Sequence, residues 1–133
     1  MDQIDHFDPG EYLYRYLKPG WVLKNGEVDP ETWDLPQVSV DRQSMTAHDR
    51  LAEVDRAEVT VSNLPDGISQ PPNGFWELRP AHCPEKHNPA HSEIRMFQDG
   101  TCILKKGDSM WQKRLRKEFR SRLSSRFRIV MTQ

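Results

Sequence analysis

The sequence has no long hydrophobic run and only two cysteines, and both features narrow the class of protein. No apolar stretch approaches the ~20 residues that a membrane-spanning helix needs. Residues 1–5 are acidic, whereas a signal peptide starts basic and continues apolar. We therefore expect a cytoplasmic protein without a membrane partner. In such a chain, Cys83 and Cys102 are expected to stay reduced.

The chain also lacks internal repeats, low-complexity tracts and any linker long enough to divide it. Its 133 residues fit one domain, 1–133, which can bury about two thirds of its unfolded surface without metal or disulfide. Only 35% of the residues are hydrophobic, but four Trp, five Phe and three Tyr supply large apolar groups. The sequence therefore predicts a small core anchored by aromatic side chains.

Alternating and β-branched runs predict short strands, and two amphipathic segments predict helices. The helix candidates are residues 46–54 and 109–124; the second carries apolar residues at four-residue spacings and basic residues elsewhere. The strand candidates are 11–17, 37–42, 57–61, 75–78, 92–97, 101–104 and 128–131. The predicted fold is α+β: a mixed or antiparallel sheet that contains about five or six of these strands, with two helices packed on it.

The net charge of −1 conceals an uneven distribution. Residues 1–34 carry a formal charge of −5, and residues 105–128 carry one of +8. A basic helix neutralises phosphates, so Arg114, Arg116 and Arg120 are candidate ligand-binding residues for a nucleic acid or nucleotide. Alternatively, the oppositely charged ends pair with each other or dock a protein partner.

Residues 79–94 form a second candidate region, with three of the five histidines, one cysteine and three prolines. The prolines predict a stiffened His-rich loop. Zinc ligation is one interpretation, but there is no Cys-x-x-Cys pair, and Pro89 interrupts the helix that His87 and His91 would need, so we assign no metal ligand. Acid/base chemistry fits better, because His91 and Glu93 lie two residues apart and share one face of a strand. Alternatively, Glu93 pairs with Arg79 or Arg95 on the surface.

Three blocks resemble recurring segments of a group of short, uncharacterised bacterial proteins. They are Leu13-Tyr14-Arg15, Gln37-Val38-Ser39-Val40-Asp41-Arg42 and Asn88-Pro89-Ala90-His91-Ser92-Glu93-Ile94. The chain is also similar, more distantly, to ADP-ribosyltransferase-like enzymes, including the RES-type toxins that consume NAD. That resemblance implies that Arg15 holds the NAD phosphates, Ser39 supports the nicotinamide ribose, and Glu93 stabilises the oxocarbenium-like centre. The Ser-Thr-Ser block typical of such enzymes is replaced by Ser39-Val40-Asp41.

Three hypotheses about function follow. The first is a bacterial protein that recognises a phosphate-bearing ligand, nucleic acid or nucleotide, through the basic helix and the His-rich loop, in a defence or toxin–antitoxin setting. His87 and Arg42 are further ligand-binding candidates in that hypothesis. The second is an NAD-consuming transferase or hydrolase with Arg15, Ser39 and Glu93 as catalytic candidates. His91 is a further catalytic candidate, as the acid/base partner of Glu93. The third is a non-catalytic subunit that docks a protein partner. The sequence identifies no cofactor and leaves open whether the chain is an enzyme.

Overall fold

The computed structural model describes residues 6–46, 51 and 54–132. They form one curled sheet of eight strands, in which each neighbouring pair is antiparallel. The strands are β1 (Tyr12–Tyr16), β2 (Gln37–Arg42), β3 (Arg56–Thr60), β4 (Ile68–Ser69), β5 (Phe75–His82), β6 (His91–Gln98), β7 (Thr101–Cys102) and β8 (Arg128–Val130). Their order is β4-β5-β6-β2-β1-β3-β8, and β7 pairs with β6 outside this path.

One α-helix, α1 (Met110–Arg126), lies among the described residues, together with 3-10 turns at Pro30–Thr32, Gln43–Met45 and Val61–Asn63. The side chain of Ser109 caps α1 by accepting a hydrogen bond from the backbone N–H of Gln112. The four-residue spacing of Leu115, Phe119 and Leu123 puts all three side chains on one helical face, where they are buried.

Because side chains alternate along a strand, the sheet has two chemically different faces. One face, here called the apolar face, packs against α1 and the Pro30–Thr32 turn. Its buried side chains are those of Leu13, Val38, Val40, Ala57, Val59, Leu78, Ile94 and Met96. The opposite face, here called the polar face, carries Tyr14, Ser39, Asp41, His91 and Glu93. The core therefore lies on one side of the sheet, and most of its polar chemistry lies on the other.

Trp33 connects the C-terminal end of α1 to the rest of the core by ring packing and a hydrogen bond. Its ring is fully buried and lies 4.5 Å from that of Phe127, centroid to centroid. Its Nε1–H donates to the Ser124 hydroxyl (2.8 Å), which in turn donates to the carbonyl of Val28 (2.7 Å). Near the other end of α1, Trp111 makes an edge contact with Trp76 at 5.1 Å. Two aromatic contacts therefore hold the two ends of the helix.

The prediction of five or six strands with two packed helices is wrong. The sheet has eight strands, and only α1 packs on it as an α-helix in the part of the chain that the structure describes. The additional strand β4 is two residues long, too short for alternation to reveal. Most of the predicted helix over residues 46–54 lies outside the described residues.

The predicted His-rich loop is largely a β-hairpin, because β5 runs to His82 and β6 begins at His91. Pro80 is tolerated inside β5 for a geometric reason. The backbone N–H of Cys83 donates to the carbonyl of His91, at the start of β6. Backbone nitrogens point alternately to the two sides of a strand, so the nitrogen of Pro80, three residues earlier, points away from β6. Proline lacks an N–H and fits a strand where the nitrogen faces an unpaired edge. The connecting loop is thus confined to residues 83–90.

None of the described residues belongs to a helix with both the length and the apolar character needed to cross a lipid bilayer.

Candidate functional site

The pairing of β2 with β6 brings the candidate polar residues together. Ser39 lies directly opposite Glu93, and Asp41 lies directly opposite His91. Since partners in an antiparallel pair project to the same side, all four side chains belong to the polar face. On the other side of β2, Tyr14 of β1 is the strand partner of Asp41. Asp41 therefore lies between a phenol and an imidazole.

Two adjoining pockets open around these residues. The first, of about 240 Å³, is lined by Tyr14, Arg15, Tyr16, Ser39, Val40, Asp41, Asn88 and His91. The second, of about 410 Å³, is lined by Asp41, Met45, Thr46, His87, Asn88, Pro89 and Ala90. Asp41 and Asn88 line both, and they form the boundary between the two cavities.

The side chain of Asn88 fixes this boundary. Its Nδ2 donates to Asp41 Oδ1 at 2.9 Å, and its Oδ1 accepts the backbone N–H of Ala90 at 3.2 Å. Its backbone also pairs with that of Glu85 across the loop. These partners fix the orientation of the amide: its NH₂ group faces the carboxylate, which accepts, and its oxygen faces the backbone N–H, which donates. Asp41 is thus held in place, with only 5% of its surface exposed.

His91 is oriented by the backbone of the neighbouring strand. Its Nδ1 lies 2.8 Å from the carbonyl oxygen of Cys83. A carbonyl oxygen only accepts, so Nδ1 carries the hydrogen and Nε2 is left as the acceptor of the neutral ring. An imidazole with one nitrogen held by a carbonyl and the other available for a ligand has the arrangement of a general base or a hydrogen-bond acceptor.

Glu93 pairs with Arg95, one of the two alternatives to His91 that the sequence left open. Its carboxylate accepts a hydrogen bond from Arg95 Nε at 2.8 Å, and this bond raises the pKa of the Arg95 guanidinium further above its ordinary value. Arg95 also donates through Nη2 to Cys83 Sγ at 2.9 Å. Glu93 lines neither pocket. The carboxylate that faces the same space as His91 is that of Asp41.

Arg15 projects to the apolar face, away from the side chains of Ser39 and Glu93. Its guanidinium donates to the carbonyls of Ser39 (2.7 Å) and Thr32 (2.8 Å), and it stacks over the rings of Trp21 and Trp33. Desolvation in this setting lowers its pKa from the ordinary value. Arg15 therefore joins β1 to β2 and the Pro30–Thr32 turn. The structure does not place its side chain with those of Ser39 and Glu93.

Arg42 and His87 occupy different settings. Arg42 is 4% exposed and forms a two-pronged ion pair with Glu11, at 3.0 Å through Nε and 2.9 Å through Nη2. The ring of Phe7 lies 4.0 Å from its guanidinium. Arg42 thus anchors the segment before β1, whereas His87 lines the second pocket.

The three arginine candidates of α1 also differ from one another. Arg116 is buried beside the core and donates to Gln112 Oε1 (2.5 Å) and to the carbonyl of Gly107 (3.1 Å). Arg114 and Arg120 lie on the outward side of the helix. Because α1 covers the apolar face, its outward side and the two pockets lie on opposite sides of the sheet. A nucleotide-sized ligand therefore cannot contact both.

The acidic and basic segments of the chain meet at one described ion pair, between Lys106 Nζ and Asp34 Oδ1 at 3.0 Å. Both side chains are more than half exposed, and such pairs contribute little to stability.

Cys83 and Cys102 are thiols rather than a disulfide. Within the described ranges, no three His, Cys, Asp or Glu side chains are grouped so that they could hold a metal ion.

The sequence analysis did not single out Asp41 or Asn88 as candidate site residues, although they lie in the segments 37–42 and 88–94 that resemble other bacterial proteins. The signal for Asp41 was the alternation of β2, which puts Ser39 and Asp41 on the same face. The role of Asn88 depends on the loop bringing its amide to a strand 47 residues earlier in the chain, and no local pattern encodes that contact.

Comparison of the chain with protein-family models, curated proteins and solved structures finds no match. The two resemblances described from the sequence therefore stay predictions. The function has to be inferred from the chemistry of the two surfaces.

Proposed function

We propose that this protein binds nucleic acid through the outward side of α1. The observation that carries the proposal is a row of four cations, here called the basic stripe: Lys113, Arg114, Lys117 and Arg120. At 100° per residue they fall on the arc opposite the buried side chains of Leu115, Phe119 and Leu123. Lys113, Arg114 and Lys117 are exposed, and Arg120 is half-buried at the edge of the stripe, so the stripe as a whole faces solvent.

The four cations of the stripe differ from the other arginines of α1, because none of the four makes an ion pair or a side-chain hydrogen bond among the described residues. Arg122 pairs with Glu118 at 2.9 Å, Arg126 donates to the side chain of Asn63, and Arg116 is buried. The stripe is therefore the part of α1 whose charge is left for a polyanion. Its length of about 10 Å, at 1.5 Å per residue, covers roughly four successive phosphates of one DNA strand.

Phosphate binding by such a stripe is expected to be strongly salt-dependent. Four contacts predict a slope of about −3.6 for log K against log salt concentration on duplex DNA, which is a loss of about 100-fold in affinity between 50 and 200 mM salt. Fluorescence anisotropy with a labelled 20-base-pair duplex and a labelled single strand measures this slope. Binding that does not change with salt would contradict the proposal.

A pair of charge-matched variants separates the stripe from net charge. Arg114→Glu with Lys117→Glu is expected to abolish measurable binding at 100 mM salt, because it replaces two phosphate contacts with repulsion. Lys24→Glu with Lys86→Glu makes the same change in net charge at two exposed lysines outside α1, and it is expected to retain most of the affinity. Equal losses in the two variants would assign the binding to net charge rather than to α1.

A further inference from the structure

Asp41 carries a buried carboxylate that has no positive partner in the described chain. Three carboxylates there are less than a tenth exposed: those of Glu11, Asp41 and Glu58. Glu11 pairs with Arg42, and Glu58 pairs with both Arg56 and Arg128. The carboxylate of Asp41 has only the neutral amide of Asn88, on Oδ1. Its second oxygen, Oδ2, makes no hydrogen bond to the described protein.

A buried carboxylate is costly unless an opposite charge accompanies it. The amide of Asn88 satisfies one oxygen but supplies no countercharge. The missing positive charge has a place to bind, because Asp41 lines both pockets. Arg15 also lines the first pocket, but its guanidinium is directed to the apolar face and is engaged by two carbonyls.

We propose that the two pockets joined at Asp41 bind a small organic cation through a guanidinium group. The first pocket supplies the carboxylate of Asp41 and, from His91, a ring nitrogen that accepts a hydrogen bond. The hydroxyl of Ser39 is a third acceptor in the same lining. A planar guanidinium presents several N–H donors in a fixed fork, which matches a carboxylate flanked by further acceptors. Tyr14 and Tyr16 add aromatic surface, which attracts organic cations.

The surroundings of Asp41 disfavour the two other charged ligand classes. The absence of a group of three His, Cys, Asp or Glu side chains among the described residues disfavours a divalent metal ion. A phosphate would approach a carboxylate of its own sign. The second pocket, lined by Met45, Pro89 and Ala90, provides apolar surface for the carbon chain of the ligand.

Isothermal titration calorimetry with agmatine, which carries a guanidinium at one end of a four-carbon chain and an ammonium at the other, tests this proposal. Agmatine is expected to bind the wild-type protein, and (4-aminobutyl)urea, which keeps the ammonium and replaces the guanidinium by a neutral urea, is expected to bind at least about tenfold more weakly. Asp41→Asn should weaken agmatine binding by about tenfold or more. The matched control, Glu93→Gln, removes a carboxylate on the same face but outside both pockets, and it should stay within about twofold of wild type.

Three results would overturn the proposal: no binding of agmatine at millimolar concentration, equal binding of (4-aminobutyl)urea, or unchanged binding of agmatine by Asp41→Asn. Should Asp41→Asn not fold, backbone NMR of the wild-type protein decides the matter. Agmatine must then shift the amide signals of Asp41, Asn88 and His91, and shifts confined to α1 would overturn it. The variant Arg114→Glu with Lys117→Glu should bind agmatine as wild type does, so failure at this site and failure of nucleic-acid binding are distinguishable.

Discussion

Replacing Glu11 by alanine is expected to lower the free energy of unfolding by about 3–5 kcal/mol at neutral pH. The change removes the carboxylate that accepts two hydrogen bonds from the buried guanidinium of Arg42. It also removes the acceptor of the Ser44 backbone N–H, which donates to Glu11 Oε2 at 3.0 Å. Urea unfolding followed by circular dichroism measures the loss. A loss below about 1 kcal/mol would contradict the assignment of this pair as a structural anchor.

Two further variants separate the buried charge from the packing around it. Glu11→Gln keeps one acceptor for Arg42 and is expected to fall between wild type and Glu11→Ala. The double variant Glu11→Leu with Arg42→Met removes both charges of the pair, and it should recover most of the stability, because apolar side chains of similar volume avoid the cost of burying the two ions. If the double variant is less stable than Glu11→Ala, packing rather than the broken ion pair dominates the loss.

The same ion pair gives the fold an acid-sensitive contribution. Burial acts to raise the pKa of Glu11, but hydrogen bonds from Arg42 and Ser44 and the charge of Arg42 outweigh it and hold the pKa below its ordinary value of 4.5. A depressed pKa in the folded state means that the unfolded chain takes up the proton first. The stabilisation is therefore complete above the ordinary pKa and is lost as the pH falls through the folded value. The stability difference between wild type and Glu11→Ala should narrow below about pH 4.5.

The extent to which the fold follows from local sequence differs between elements. The spacing of Trp111, Leu115, Phe119 and Leu123 predicts a helix over residues 109–124, and α1 spans Met110–Arg126. The strands with clear alternation were also predictable. Their assembly into one eight-stranded sheet was not, because the order β6-β2-β1-β3 pairs strands that are far apart in the chain. Pro80 misled the prediction, since its tolerance depends on which edge of β5 is unpaired.

For the candidate site, the sequence could indicate which residues share a face of a strand, but not which strands lie side by side. It could predict that His91 and Glu93 share a face, since strand alternation is a local property. It could not predict that β2 lies beside β6, which makes Asp41 the carboxylate opposite His91. Nor could it distinguish buried arginines from exposed ones: Arg42 and Arg116 are enclosed by partners, whereas Arg114 lies in the basic stripe.

Replacing Trp33 by alanine is expected to cost about 3–5 kcal/mol of unfolding free energy. The fully buried indole fills the space between the Pro30–Thr32 turn and α1, and its removal leaves a cavity lined by groups that cannot close around it. The hydroxyl of Ser124, itself buried, also loses a hydrogen-bond donor. Urea unfolding of wild type and variant measures the loss. If the unfolding free energy falls with urea concentration at the same slope in both proteins, the surface exposed on unfolding is the same.

Two tryptophan controls divide this loss into its causes. Trp33→Phe keeps an aromatic ring but cannot donate to Ser124, so it should cost about 1–3 kcal/mol. Trp21→Ala removes the other ring that stacks on Arg15, at 5.0 Å, but Trp21 is only partly buried and should cost about 1 kcal/mol. A loss from Trp21→Ala as large as that from Trp33→Ala would assign the stabilisation to the stacking of Arg15. A much smaller loss from Trp21→Ala would assign the stabilisation to the contact between Trp33 and α1, the helix that carries the basic stripe.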